Sequence, residues 1–162
     1  MKHILVPTDF SDNAYSALSY VRLLLQDEEV IFTLYHAYEP SPILLLGKSP
    51  YRVGAIYNSC KKVANEKIEQ LLTKINGLNE NQKHTYETIS SGGALEEAIK
   101  AIDIDRYDFI AMGSKGATGL KTVFWGSNTF SLVNMSLKKP ILIIPENSIY
   151  KNPEKIAFAT NF

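Results

Sequence analysis

Asp108-Phe109-Ile110-Ala111-Met112-Gly113-Ser114-Lys115-Gly116-Ala117-Thr118-Gly119-Leu120-Lys121-Thr122-Val123-Phe124-Trp125-Gly126-Ser127-Asn128 is the stretch on which the reading of this chain turns. Phe109 to Met112 is a short unbroken apolar run, the pattern of a strand buried on both faces. Glycines follow it, and a helix is expected to start near Ser127. Strand, glycine loop and helix start together make an anion site. Glycine lets the backbone come close to a phosphate, and the free N–H groups of the first helical turn point at it. Gly113 and Gly116 are separated by two residues, Gly116 and Gly126 by nine, and Ser127 follows directly. The amides of Gly116, Ser127 and Asn128 are the expected phosphate donors, with the Ser127 hydroxyl beside them. Lys115 either adds a positive charge or is a solvated loop residue. The plainer reading of the whole motif is a tight turn and a helix cap.

Working outward, residues 3–6 form another short apolar run, ended by Pro7. Ser11 or Asp12 can cap a helix in which Ala14, Ala17, Leu18, Val21, Leu24 and Leu25 share one face. Residues 30–38 are β-branched and aromatic, which predicts a second strand. Residues 39–57 carry three prolines and two glycines and read as a long irregular excursion, of the kind that serves as a lid. A helix is expected over 59–75, with Val63, Ile68, Leu71, Leu72 and Ile75 as its apolar stripe and Gly77 as its stop. Residues 84–90 alternate weakly and suit a strand near a sheet edge. Gly92-Gly93 opens a helix through Leu95, Ala98, Ile99 and Ile102. A helix over 127–137 and a strand at 141–144, bracketed by Pro140 and Pro145, complete the pattern.

Strands and helices alternate, so the fold class is α/β: a doubly wound, mostly parallel sheet covered on both faces. Ligands in such folds sit beyond the carboxyl ends of the strands, where the strand order reverses. The Pro7-Thr8-Asp9 turn and the 113–127 loop both lie at such ends. They flank one crevice if the first and fourth strands are neighbours. Asp9 is then either the turn residue before the first helix or a carboxylate that takes a ribose hydroxyl or a metal-bound water.

Lys+Arg and Asp+Glu number 17 each, a balance that argues against broad binding to nucleic acid or to a membrane surface. The runs at 43–46 and 141–144 are far short of a membrane span, and the amino-terminal run is too short for a signal peptide. A single cysteine, Cys60, rules out an internal disulfide and fits a reducing compartment. The expectation is a soluble, cytoplasmic protein. Gly47-Lys48-Ser49 imitates the end of a Walker loop, but Pro42 stands where the first glycine belongs. His3, His36 and His84 fall in three different strands without ligand spacing, so no metal site is expected.

Lys155-Ile156-Ala157-Phe158-Ala159-Thr160-Asn161-Phe162 repeats the pattern of His3-Ile4-Leu5-Val6-Pro7-Thr8-Asp9-Phe10 at an offset of 152, with Ile4, Thr8 and Phe10 matched identically. A short apolar strand and a polar turn can recur by chance. The three identities favour a true repeat. Residues 1–146 then form one domain, and 147–162 a linker and the first strand of a truncated second copy, a tandem repeat.

The Gly-x2-Gly-x9-Gly-Ser pattern, with Ile4-Leu5-Val6-Pro7-Thr8-Asp9-Phe10-Ser11 ahead of it, resembles the universal stress protein family over residues 2–145. The resemblance implies a five-stranded parallel sheet of order 3-2-1-4-5, the adenine-nucleotide α-hydrolase-like arrangement. It also implies ATP, with or without Mg²⁺, as the bound group. It places Pro7, Thr8 and Asp9 at the nucleoside and the backbone of Ala37 at the adenine. Met112, Gly113, Lys115 and Gly116 follow the ribose and phosphates, and Gly126, Ser127 and Asn128 complete the cradle. It further implies a homodimer through the last strand and a regulatory protein partner in stress response. Tyr35-His36-Ala37-Tyr38 departs from the family's commoner apolar ending of the second strand.

Three functions remain open on these residues. One is an ATP-binding regulatory module. Another is a slow ATPase or a phosphoryl or adenylyl transferase, for which Asp9 is the sole clear base and no catalytic residue is otherwise evident. The last is an interaction scaffold with an empty site.

Overall fold

The computed structural model describes residues 1–77, 82–115, 126–135 and 137–159. Five strands, β1 Lys2–Pro7, β2 Val30–Tyr38, β3 His84–Gly92, β4 Phe109–Gly113 and β5 Ile141–Ile144, form one sheet in the order β3-β2-β1-β4-β5. Every pairing is parallel. The α-helices among the described residues are α1 Asp12–Leu24, α2 Pro42–Leu45, α3 Pro50–Gly77, α4 Leu95–Lys100 and α5 Ser127–Asn134.

The pleat divides the core. Ile4, Val6, Phe32 and Leu34 face one way and pack with Ala17, Leu18 and Val21 of α1 and Ile68 and Ile75 of α3. Leu5, Tyr35, Ile110 and Met112 face the other way and meet Ala98 and Ile99 of α4 and Leu132 of α5. Strands buried on both faces must be apolar at consecutive positions, which is why they read as short unbroken runs.

Ser11 caps α1, its Oγ accepting from the Ala14 N–H at 3.2 Å. The chain then runs β1, α1, β2, α3, β3 toward one edge, crosses back through α4, and runs β4, α5, β5 toward the other. The reversal puts β1 beside β4. Their ladder pairs Ile4 with Phe109 and Leu5 with Ile110, whereas β1 and β2 stay in register from Lys2↔Val30 to Pro7↔Tyr35.

Two expectations need correction. Residues 39–57 are not an irregular lid. Pro42 opens the short helix α2, and α3 begins at Pro50, nine residues ahead of the expected start at 59. Both prolines stand in the first helical turn, where a missing N–H costs nothing and φ is already helical. Gly54 lies within α3 and nothing approaches its Cβ position within 4 Å, so it is tolerated at an open surface. In addition, Val63 is not part of the buried stripe. It is half exposed, and Ala64, Ile68 and Ile75 are the buried positions of α3. Residues 155–159 have no regular structure within this single chain and are exposed, while Thr160, Asn161 and Phe162 lie outside the described residues.

Candidate functional site

At the carboxyl ends of β1 and β4 the two strands part, and a cleft of about 260 Å³ opens between them. It is lined by Pro7, Thr8, Asp9, Ala14, Ala37, Leu95, Met112, Gly113, Lys115, Gly126, Ser127, Asn128 and Thr129. Every residue expected from the sequence is therefore gathered here except Gly116, which lies outside the described residues. Ala14, Leu95 and Thr129 were not anticipated. Ala14 and Leu95 read from their spacing as core positions, and both sit at helix starts where the core meets the cleft. Thr129 gives no local signal. It is buried, and its Oγ1 donates to the Gly113 carbonyl at 2.9 Å, which ties α5 to the end of β4.

The first wall is the turn after β1. The Thr8 N–H donates to the Tyr35 carbonyl at 2.8 Å, which continues the sheet by one more residue. Thr8 Oγ1 then accepts from the Phe10 N–H at 3.1 Å, and Asp9 Oδ1 from the Ser11 N–H at 3.0 Å. These side-chain bonds build the turn locally, as Thr and Asp commonly do. They hold Phe10 at φ 65, a left-handed conformation that costs a bulky residue energy. Asp9 is thus both the turn residue and a cleft residue.

His36 braces this turn from beneath. Its Nδ1 lies 2.8 Å from the Thr8 carbonyl, which can only accept, so Nδ1 carries the proton. The Phe10 and His36 ring centroids are 4.4 Å apart. Burial holds the His36 pKa below its ordinary value of 6.5, and neighbouring Lys67 pushes the same way. The Thr8 bond and Asp9 oppose them. His84 is likewise lowered, first by burial, with its Nε2 on the Leu25 carbonyl at 3.1 Å. The sign of the linkage follows. Below pH 6.5 the unfolded chain takes up protons that the native state refuses, so stability is full above that pH and is lost as pH falls through it. The expected slope is at most about 1.4 kcal/mol per pH unit for each histidine. Urea midpoints measured from pH 7.5 downward should fall, and His36→Asn, which can keep a donor toward Thr8 without titrating, should flatten the profile.

The opposite wall is the end of β4 and the start of α5. Gly113 lies against α1: a Cβ there would meet Asn13 Cγ at 2.8 Å and the Asn13 carbonyl at 3.1 Å. Asn13 is buried, and its Oδ1 accepts from the Lys115 N–H at 2.9 Å. Its Nδ2 has no partner among the described residues. Gly126 N–H donates to the Ser114 carbonyl at 2.8 Å, which brings the helix start back onto the strand end. Gly126 is the cap residue of α5, with φ −66 and ψ 155, and no side chain caps the helix. The first-turn amides of Ser127, Asn128 and Thr129 are consequently directed at the cleft with the positive end of the helix behind them. Lys115 is not a free cation. Its Nζ is 2.8 Å from Glu146 Oε2.

The site can hold an anion at the α5 end and a planar, mostly apolar group near Pro7, Ala37 and Leu95. Among the described residues, no three His, Cys, Asp or Glu side chains converge as a metal site. No described helix is long and apolar enough to cross a membrane.

Comparison with known proteins gives a consistent picture. A family model described as the universal stress protein family matches residues 1–145. Universal stress protein MJ0577 of Methanocaldococcus jannaschii is 33% identical over 160 residues, covering 88% of this chain and 94% of that protein. The solved structure of MJ0577 aligns with a TM-score of 0.72 at 28% identity, over 91% of this chain and 98% of that one. UspA of Lactobacillus plantarum shares the fold, with a TM-score of 0.70 at 20% identity over 89% of this chain and 96% of its own. So does a universal stress protein family member of Arabidopsis thaliana solved with AMP bound, at a TM-score of 0.57 and 16% identity over 91% of this chain and 94% of its own.

Proposed function

This chain belongs to the universal stress protein family, and on that premise we propose that it is an ATP-binding regulatory module. The observation that carries the reading is the convergence of the Pro7-Thr8-Asp9 turn and the uncapped start of α5 on one cleft at the strand-order reversal. A helix start capped by glycine leaves its first-turn amides without a side-chain acceptor, which suits them to receive a phosphate.

In this reading the amides of Ser127, Asn128 and Thr129 hold phosphate oxygens, and the Ser127 hydroxyl adds a donor. Asp9 accepts from the ribose, and Pro7, Ala37 and Leu95 enclose the base. The Arabidopsis relative is consistent at the level of fold, which accommodates AMP there. Mg²⁺, if it accompanies the nucleotide, would be held chiefly by phosphate oxygens. Asp9 is engaged in its turn through the Ser11 N–H, and among the described residues no second carboxylate is in the cleft lining beside it, which favours binding over phosphoryl transfer. Nucleotide occupancy would then be reported to a protein partner.

Two further parts of the proposal concern assembly. β5 has β4 on one side only, and its Ile141, Leu142 and Ile143 are partly exposed, so a homodimer through that edge is the expected pairing. Residues 155–162 would be the opening of a second copy.

Calorimetry with ATP and Mg²⁺ tests the central claim. The expected result is saturable, enthalpic binding in the micromolar range, together with adenine nucleotide retained on purification. An absence of binding at millimolar ATP would leave only the scaffold.

A further inference from the structure

Among the described residues, Lys115 is the one cationic side chain that lines the cleft, and Glu146 is paired with it from a position built into the fold. β4 and β5 run parallel with Met112 beside Ile143 and Gly113 beside Ile144. The Ser114 N–H continues the ladder onto the Ile144 carbonyl at 2.9 Å. Carried two residues further, the same register sets Lys115 opposite Glu146, and their side chains meet at 2.8 Å.

Neither partner is loosely held. The Lys115 amide is fixed to Asn13 Oδ1, and its side chain is 24% exposed. Glu146 stands in a turn closed by the Ser148 N–H on the Pro145 carbonyl at 3.2 Å, with Asn147 at φ 63. Four residues beyond Glu146, Tyr150 packs edge-on against Tyr20 of α1, ring centroids 5.3 Å apart. The segment after β5 is thus pinned back over α1 with its carboxylate at the lip of the cleft.

We propose that Glu146 is a specificity-determining residue of this site: a resident counter-ion that a phosphate must displace from Lys115, so that the cleft is biased against ligands in proportion to their negative charge. The inference rests on the nucleotide reading above. It concerns charge selection, which that reading leaves open. A ligand whose phosphates reach Lys115 meets a neutralised cation and a neighbouring carboxylate. A ligand without phosphates meets neither. Glu146 therefore lowers affinity for ATP and leaves adenosine alone, and the same displacement would loosen the 146–150 segment whenever the triphosphate binds.

The test is a calorimetric comparison of ATP, AMP and adenosine on the full chain and on Glu146→Gln, without added divalent ion. The expected result is ATP affinity raised about fivefold by Glu146→Gln, the range of one partly exposed ion pair, with AMP raised less and adenosine unchanged. The gain should shrink at high salt and be smaller in a Lys115→Gln background, where only the repulsion between carboxylate and phosphate is left to relieve. Glu154→Gln, a charge change further along the same exposed segment, should alter nothing. Equal shifts for ATP and adenosine, the same gain from Glu154→Gln, or weaker ATP binding in Glu146→Gln would each overturn the proposal. If ATP binds and Glu146→Gln has no effect, only the counter-ion role falls. If ATP binds neither protein, the nucleotide reading falls and this one with it.

Discussion

Gly126→Asp will leave the protein folded, and slightly more stable, while lowering its affinity for ATP by roughly a hundredfold or more. The residue has the extended conformation of a helix cap, φ −66 and ψ 155, which any amino acid adopts. Aspartate is a better cap than glycine by a few tenths of a kcal/mol, about 0.3, because its carboxylate accepts from the first-turn amides. Those amides are the ones proposed to hold phosphate. The new side chain therefore satisfies the donors from within and sets a negative charge where the ligand's charge belongs. Two like charges about 4 Å apart in a surface cleft repel by about 4 kcal/mol, more than the cap contributes. Thermal unfolding and calorimetry on the same preparation separate the two effects. A variant that still binds ATP as the parent does would exclude the start of α5 as the anion site, whatever its stability.

Gly113→Ala should be strongly destabilising for a single added methyl, costing about 2 kcal/mol. The reason is contact, since no unusual backbone angle is involved. The added carbon would lie 2.8 Å from Asn13 Cγ and 3.1 Å from the Asn13 carbonyl, both on the buried side of α1. Either α1 shifts away from β4, or Asn13 rotates and releases the Lys115 amide. The second course also disturbs the cleft, so ATP affinity should fall with stability. Asn13→Ala removes the side-chain half of the clash. The double variant should consequently be less destabilised than the sum of the single changes, by about 1 kcal/mol in urea titrations. Strict additivity would mean that Asn13 and Gly113 do not meet as described.

The parts of this molecule that were legible from its residues are those whose cause is local. Ile4, Leu5 and Val6, or Ile141 to Ile144, are apolar at consecutive positions because helices cover both faces of the sheet, and that pattern needs no tertiary knowledge. The glycine spacing and the Pro7-Thr8-Asp9 turn were legible because each is a short-range solution to a backbone problem. The start of α3 was not. Proline and glycine around residue 50 read as punctuation, yet Pro50 is a helix opener and Gly54 faces open space. The partners that finish the site were also hidden. Asn13 and Glu146 reach Lys115 from far along the chain, and only the strand order and the β4–β5 register bring them there. Thr129 belongs to the same class, a hydroxyl whose purpose appears only once α5 is laid against β4.

The short pairing between β1 and β4 has a mechanical corollary. On one side of it, β3, β2 and β1 are knit along nearly their whole length, from Val30↔His84 to Tyr38↔Gly92 and from Lys2↔Val30 to Pro7↔Tyr35. On the other, β4 and β5 travel together. The join at Ile4↔Phe109 and Leu5↔Ile110 is the seam of the sheet. A molecule lodged across its open end, gripping Thr8 and Asp9 with one half and the head of α5 with the other, would act as a staple. Saturating ligand should then slow amide exchange on both lips of the seam together, and the two halves should melt as one body where the bare protein begins to unzip from that side.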